Sequence, residues 1–384
     1  MLIPGGPGAL DRNNFDAIRL AMAFLVLFSH CFALRFGSEA MEPLSQITNG
    51  FYNSGNAGVW GFFIISGFLV ARSFDMSPSV GRFAMRRVRR IFPGYLVATS
   101  FCAFVVTPLF APPDFSLTSG EIAATLAGNL TLGNHFPIPD LFRDNPVSAI
   151  NGSLWSIRYE ALCYVGLTLL TLTFRRRLQP ALLLLYLAVL ILWCWADLTG
   201  RKPGGSPALN AVIGWPYLWM MALPNFLLGM IVYHMRAALP RSTALLIGLV
   251  AASLLVFHIG GRQPWGIVGA HVLGPPSLAY GLFWLAYHPG IVLHRAARFG
   301  DFSYGVYLYA FVIQQMLVAR TALPFPVFVL ASALLSFAAG IASWWLVERP
   351  FLGRRRRARR ETLIDEERPL GPERTPSSTG SDDA

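Results

Sequence analysis

Charge is scarce in this sequence. Charged residues occupy 13% of its 384 positions, about half the share of a soluble domain. Hydrophobic residues occupy 54%, and mean hydropathy is +0.50. Apolar runs recur from Phe15 to Val347 with no domain-length polar stretch between them, which excludes a soluble fold as the main unit. The four cysteines, Cys31, Cys102, Cys163 and Cys194, all lie in apolar runs without CxxC spacing. Neither a disulfide framework nor a thiolate metal site is expected from them. The histidines lack metal-ligand spacing, so no metal is expected. No internal repeat is visible, which weakens a transporter built from two matching halves. The first fourteen residues are polar and rich in Gly and Pro, without the features of a cleavable signal, so the first apolar run is expected to be retained.

What charge there is carries a pattern. The formal net charge is +11, and the arginines cluster at the ends of alternate apolar runs. That is the positive-inside pattern and not a nucleic-acid footprint, so no nucleic acid is expected as a partner. Apolar windows at 15–36, 57–74, 91–111, 152–174, 180–198, 214–235, 243–260, 265–287, 302–320 and 324–347 predict an all-α polytopic membrane protein with about ten transmembrane helices. With a cytoplasmic N-terminus, 22 of the 31 Lys and Arg residues fall inside and 7 outside, so both termini are expected to be cytoplasmic. Residues 1–352 form the transmembrane domain. Residues 353–384 form a tail that opens with RRRRARR, expected to anchor on anionic membrane lipids, and ends in a stretch with disordered composition. The longest external connection, 112–151, contains GEIAATLAGNLTL, too short and polar to span, which could roof a cavity.

Ionisable residues inside such runs are functional candidates by default. Arg19 and His30 share the first run, about 16 Å apart along a helix and on one face. Gly58, Gly61, Ser66 and Gly67 form a small-residue face in the second run, suited to close helix or ligand approach. In RRVRRIFP, residues 86–93, Arg87 and Arg90 are three apart, and two guanidinium forks side by side suit a phosphate or pyrophosphate. Plain topogenic charge accounts for them equally. In NGSLWSIRYEALCYV, residues 151–165, Ser156 and Glu160 are four apart with Trp155 beside them. Glu160 either forms a structural ion pair with an arginine, or orients His30 or binds a substrate hydroxyl. In GDFSYGVYLYAFVIQQ, residues 300–315, Asp301, Ser303, Tyr304 and Tyr307 surround the inner end of the ninth span. Asp301 could do no more than cap that helix. Glu348, in WWLVERPFL, could pair with an arginine.

Taken in order, FDAIRLAMAFLVLFSH, GFFIISGFLV, RRVRRIFP, SLWSIRYE, NFLLGMIVY, GDFSYGVYLYAF and ERPF resemble the acyltransferase-3 family of bacterial membrane O-acyltransferases that modify glycans. The resemblance implies an enzyme of the bacterial inner membrane, multi-pass, with about ten spans. It implies acyl transfer, most simply from acetyl-CoA, to a hydroxyl of a cell-surface or lipid-linked glycan. The family's arginine–histidine pair falls on Arg19 and His30, its RxxR motif on Arg87 and Arg90, and its membrane glutamate on Glu160. Trp155, Ser156, Asp301 and Tyr304 are added as candidate substrate-binding residues. Many members have histidine after the YLY of the ninth span, where this chain has Ala310, so no catalytic duty can rest there. No periplasmic esterase-like domain follows the last span, which resembles the stand-alone type, acting alone or handing the acyl group to a separate periplasmic acyltransferase partner.

On this reading the cytoplasmic arginines hold the phosphates of acyl-CoA. His30 acts as general base towards the acceptor hydroxyl or is transiently acylated, and Arg19 stabilises the oxyanion or positions a phosphate. The rival class is a glycan or lipid transporter or flippase that uses Arg19, His30 and Glu160 as a relay. A scaffold without chemistry would tolerate apolar residues at all three.

Overall fold

The computed structural model describes residues 2–3, 9–77, 79–294 and 296–352; the tail expected over 353–384 lies outside them. Among the described residues the regular structure is helical and no strand occurs. Eleven α-helices have twelve residues or more. They are α1 (Phe15–Phe36), α2 (Ser54–Asp75), α3 (Val80–Phe101), α4 (Ser119–Leu130), α5 (Trp155–Phe174) and α6 (Leu178–Thr199). The remainder are α7 (Pro216–Met235), α8 (Thr243–Leu255), α9 (Pro264–Tyr287), α10 (Ser303–Arg320) and α11 (Phe325–Ser343).

Ten of these coincide with the apolar windows, and α4 is the GEIAATLAGNLTL piece, which at 1.5 Å per residue is about 18 Å long. Seven helical segments among the described residues are long and apolar enough to cross a membrane by length and composition. One of them, Trp155–Thr199, joins α5 and α6 through the tight turn Arg175–Arg177. Its 45 residues amount to about 67 Å of helical rise summed over the two helices, over twice a hydrocarbon core. The helices α9 and α10 are not among the seven; α10 carries two glutamines and ends in arginine. The chain is a multi-pass membrane protein.

Helix ends follow local chemistry. The side chains of Asn53, Ser79 and Ser242 accept backbone N–H groups at the starts of α2, α3 and α8. Thr118 and Glu121 form a reciprocal capping box on α4. Gly37, with φ at +70°, ends α1. Two wide five-residue turns, Cys102–Val106 and Trp344–Glu348, each lie two residues before a proline, Pro108 and Pro350. A proline ring displaces the carbonyl four residues back and gives no N–H in return, which widens the helix there. The second of these turns brings Glu348 into the protein interior, where it is 1% exposed.

The central helices touch backbone to backbone. A Cβ on Gly67 of α2 would lie 2.0 Å from the Phe226 carbonyl oxygen, and a Cβ on Gly229 of α7 would lie 2.0 Å from that of Ile64. The expected small-residue face is thereby divided. Gly58 meets the backbone of α1 at Met22, Gly67 meets α7, and Ser66 turns into a cavity. Gly67→Ala should destabilise the protein by about 1–3 kcal/mol or more, because backbone cannot yield as a side chain does. Gly166→Ala, which meets open space, should not. A wild-type melting temperature for Gly67→Ala in detergent would contradict this packing.

Candidate active site

One end of the bundle is organised by a carboxylate. Asp301 stands just before α10, and its Oδ2 accepts from Arg90 of α3 at 2.6 Å and forms an ion pair with Arg19 of α1 at 3.1 Å. Its Oδ1 accepts from the Ser303 hydroxyl at 2.5 Å. Arg19 also pairs with Asp16 one turn back, and Arg90 reaches Glu348 at 3.7 Å. Burial by itself would raise the Asp301 carboxyl; the Arg19 and Arg90 guanidiniums outweigh it and, with Ser303, hold the group well below the usual carboxylate range. Asp301 is thus more than a cap. The α10 N-cap is Phe302, which has no side-chain cap, and Asp301 ties three helices together.

Above this network lies a cavity of about 800 Å³ of empty space, counting its open part. Arg19, Arg87, Arg90 and Tyr304 line its near end, and Ser156 and Tyr307 are further in. Glu160 borders it and forms no ion pair with an arginine among the described residues: its Oε1 accepts from Ser66 at 2.7 Å and from Tyr164. A second cavity of about 1020 Å³ is lined by Arg86, Arg87, Arg89, Arg90 and Asp301. The two share Arg19, Leu69, Arg87 and Arg90, so an arginine-walled vestibule adjoins the inner cavity.

The two arginines of the RxxR pair differ in their surroundings. Arg90 is engaged by Asp301 and Glu348, and its guanidinium lies 5.5 Å from the Tyr304 ring centre. Arg87 lies between the rings of Phe83 and Tyr164, at 5.9 and 5.8 Å. It makes one long hydrogen bond, to Ser73 at 3.5 Å. Its buried Nε has no hydrogen-bond partner among the described residues. Arg87 is therefore the member of the pair with donors available to an anion.

His30 is not among the residues lining the inner cavity. Its ring is edge-on to Phe311 at 5.1 Å, one helical turn outward from Tyr307 on α10. Its Nδ1 is buried and unpartnered among the described residues. The preceding Ser29 donates to Glu39 at 2.9 Å, and Asn53 donates to the other oxygen of that carboxylate. Burial raises the Glu39 carboxyl, Ser29 lowers it, and the neighbouring Glu42 raises it, with a net shift upward. Glu42 is fully buried and accepts from Ser54 and from the Ser45 backbone. The sequence reading missed both. An acidic pair three residues apart, in the connection after the helix that carries His30, is the signal that marks them.

Other placements differ from the simplest expectation. Ser156 and Glu160 both border the cavity but do not serve one another, since the Ser156 hydroxyl meets Tyr307 OH at 2.6 Å. Trp155 packs edge-on against Tyr159 at 5.4 Å and does not line the cavity. Trp155 is the first residue of α5, one position before Ser156, which does line the cavity. Tyr304 donates to the Ile91 carbonyl at 2.8 Å. Ala310 is 2% exposed in an apolar cluster with Leu27, Cys31 and Phe328.

Residues 12–347 match the acyltransferase domain of the acyltransferase-3 family. An O-acetyl transferase of Shigella phage Sf6 is 27% identical over 345 residues, covering 89% of this chain and 96% of the relative. Nodulation protein 10 of Rhizobium leguminosarum bv. viciae is 27% identical, covering 88% and 93%. Exopolysaccharide production protein ExoZ of Rhizobium meliloti (strain 1021) is 28% identical, covering 83% and 96%. No solved structure matches. The chain belongs to the acyltransferase-3 family and is a membrane acyltransferase.

Proposed function

We propose that this acyltransferase moves an acetyl group from acetyl-CoA to a hydroxyl of a cell-surface or lipid-linked glycan. It works in the bacterial inner membrane, with ten crossings and both termini in the cytoplasm. The bias of Lys and Arg, 22 against 7 across the ten windows, supports that orientation. The names of the phage O-acetyl transferase and of ExoZ support the acetyl group and a polysaccharide acceptor.

The observation that carries the reading is the arginine vestibule adjoining a narrow membrane cavity, with Arg87 at the junction and donors to spare. These residues fit the donor. Bound there, coenzyme A supplies an acyl thioester. Arg87, with Arg86 and Arg89 at the mouth, meets its phosphates. Phe62, Phe63 and Leu69 wall the cavity and exclude water. Arg19 is held in place by Asp16 and Asp301 at the base of the cavity, where it positions a phosphate. Further in, the hydroxyls of Ser156 and Tyr307 and the Glu160 carboxylate supply the polar contacts. His30 stands one turn outward, where an acceptor arriving from the opposite face meets it, and takes the acceptor's hydroxyl proton.

Arg87→Gln tests the donor assignment. It should weaken acetyl-CoA binding by roughly 10- to 100-fold, the loss expected for one charge-assisted contact. Titrating thermal stability with acetyl-CoA reads this directly; unchanged affinity would return Arg87 to a topology signal.

A further inference from the structure

At the end of the bundle opposite the arginines, a separate cavity of about 920 Å³ opens among α2, α6, α7 and α9. Its α2 residues, Asn56 and Trp60, lie about 13–20 Å along the helix from Leu69, which lines the arginine side. The wall is aromatic. Trp60 is edge-on to Trp193 at 5.5 Å, Tyr52 is edge-on to Trp60 at 4.8 Å, and Trp193 stacks on His271 at 4.2 Å.

Set into that wall is Asp197. Its Oδ2 meets His271 Nε2 at 2.8 Å, and its Oδ1 accepts from Tyr217 OH at 2.8 Å. A carboxylate offers about four acceptor sites, so two partners leave acceptor capacity. The Asp197 side chain keeps 27% of its surface exposed, against 10% for His271. The rim carries Lys202, 5.3 Å from the Tyr217 ring centre, and Arg262, 4.7 Å from that of Phe51.

This combination selects among ligands. An apolar chain would leave Asp197 without compensation. A simple anion would face the carboxylate. A sugar ring has a C–H face for the aromatic wall and a rim of hydroxyls that both donate to Asp197 and accept from Lys202, Arg262 and Asn56. The cavity is also joined to the His30 end. The Asn56 backbone N–H donates to Asn53 Oδ1 at 2.6 Å, and Asn53 donates to Glu39, which accepts from Ser29 beside His30.

The geometry points to this cavity as a saccharide subsite that holds the acceptor glycan during transfer, a role resting on the glycan acceptor proposed above. The test uses the purified full chain in detergent. Surface glycan from a strain lacking the gene is released, labelled with a fluorophore at its reducing end, and titrated by fluorescence anisotropy. No donor is present. The wild-type chain should bind. Asp197→Asn and Tyr217→Phe should each weaken binding tenfold or more, while acetyl-CoA affinity and melting temperature stay at wild-type values. Arg87→Gln should leave glycan binding unchanged. Equal glycan affinity in wild type and both cavity variants, or no binding by the wild type, overturns the subsite. Failure of the acetyl-transfer reading is seen separately, as unaltered acetylation of that strain's glycan.

Discussion

His30→Ala should lower acyl transfer by at least about 100-fold, the lower end of what a positioned general base contributes, with wild-type amounts of protein in the membrane. Removing the side chain strands no hydrogen-bond partner of Nδ1 among the described residues and gives up an edge-on ring contact with Phe311. A loss of activity would therefore report chemistry and not collapse. The residue stands apart from the arginine cavity, one turn beyond Tyr307, so its removal should leave acetyl-CoA affinity within about twofold while turnover falls. That split separates a base acting on the acceptor from a residue that binds the donor. Wild-type turnover in His30→Ala would remove the histidine from the mechanism.

Asp301→Asn should cost about 3–5 kcal/mol, the range for breaking a buried ion pair from one side. Two guanidiniums converge on this carboxylate, and its side chain is 11% exposed. An amide keeps the shape and removes the charge, leaving Arg19 and Arg90 facing one another. Arg19 then keeps Asp16 on its own helix and Arg90 keeps Glu348 at 3.7 Å, and the carboxylate that joins the two is gone. The wild-type protein carries the same dependence on pH. Because the folded carboxyl titrates below its unfolded value, its contribution is complete above about pH 4 and declines as pH falls towards the folded pKa. Melting temperatures of the two proteins should accordingly differ most at neutral pH and converge on acidification. A constant gap, or none, would contradict the network.

Much of this was legible in the sequence because the signals were local. Each apolar window became a helix, since twenty-odd apolar residues between polar ends have few other solutions in a bilayer. Arg19 and Glu160 stand out as ionisable residues of apolar runs, Ser156 by its spacing to Glu160, Arg87 and Arg90 as a pair three apart in a basic cluster, and Tyr304 at the inner end of the ninth span, and all six line one cavity. Asp301 lines the adjoining vestibule. Pairings between helices were not legible. The i,i+4 spacing of Ser156 and Glu160 puts both on one face, but the Tyr307 hydroxyl from α10 claims Ser156, and Ser66 from α2 claims Glu160. Trp155 shows the limit of adjacency: one residue from Ser156 is about 100° around the helix, and it packs on Tyr159 instead. Asp197 and His271 are 74 residues apart on α6 and α9, so no spacing rule could join them. Nor did the shared RxxR spacing distinguish Arg90, held by two carboxylates, from Arg87, which is not.

The most direct test of acetyl transfer to a glycan is mass spectrometry of surface glycans from three strains: wild type, one lacking the gene, and one carrying His30→Ala. The account predicts that glycan from both altered strains lacks the mass of an acetyl group found in the wild type, with glycan amount and location unchanged. Intact acetylation in the strain without the gene, with glycan reduced or mislocated, would contradict it.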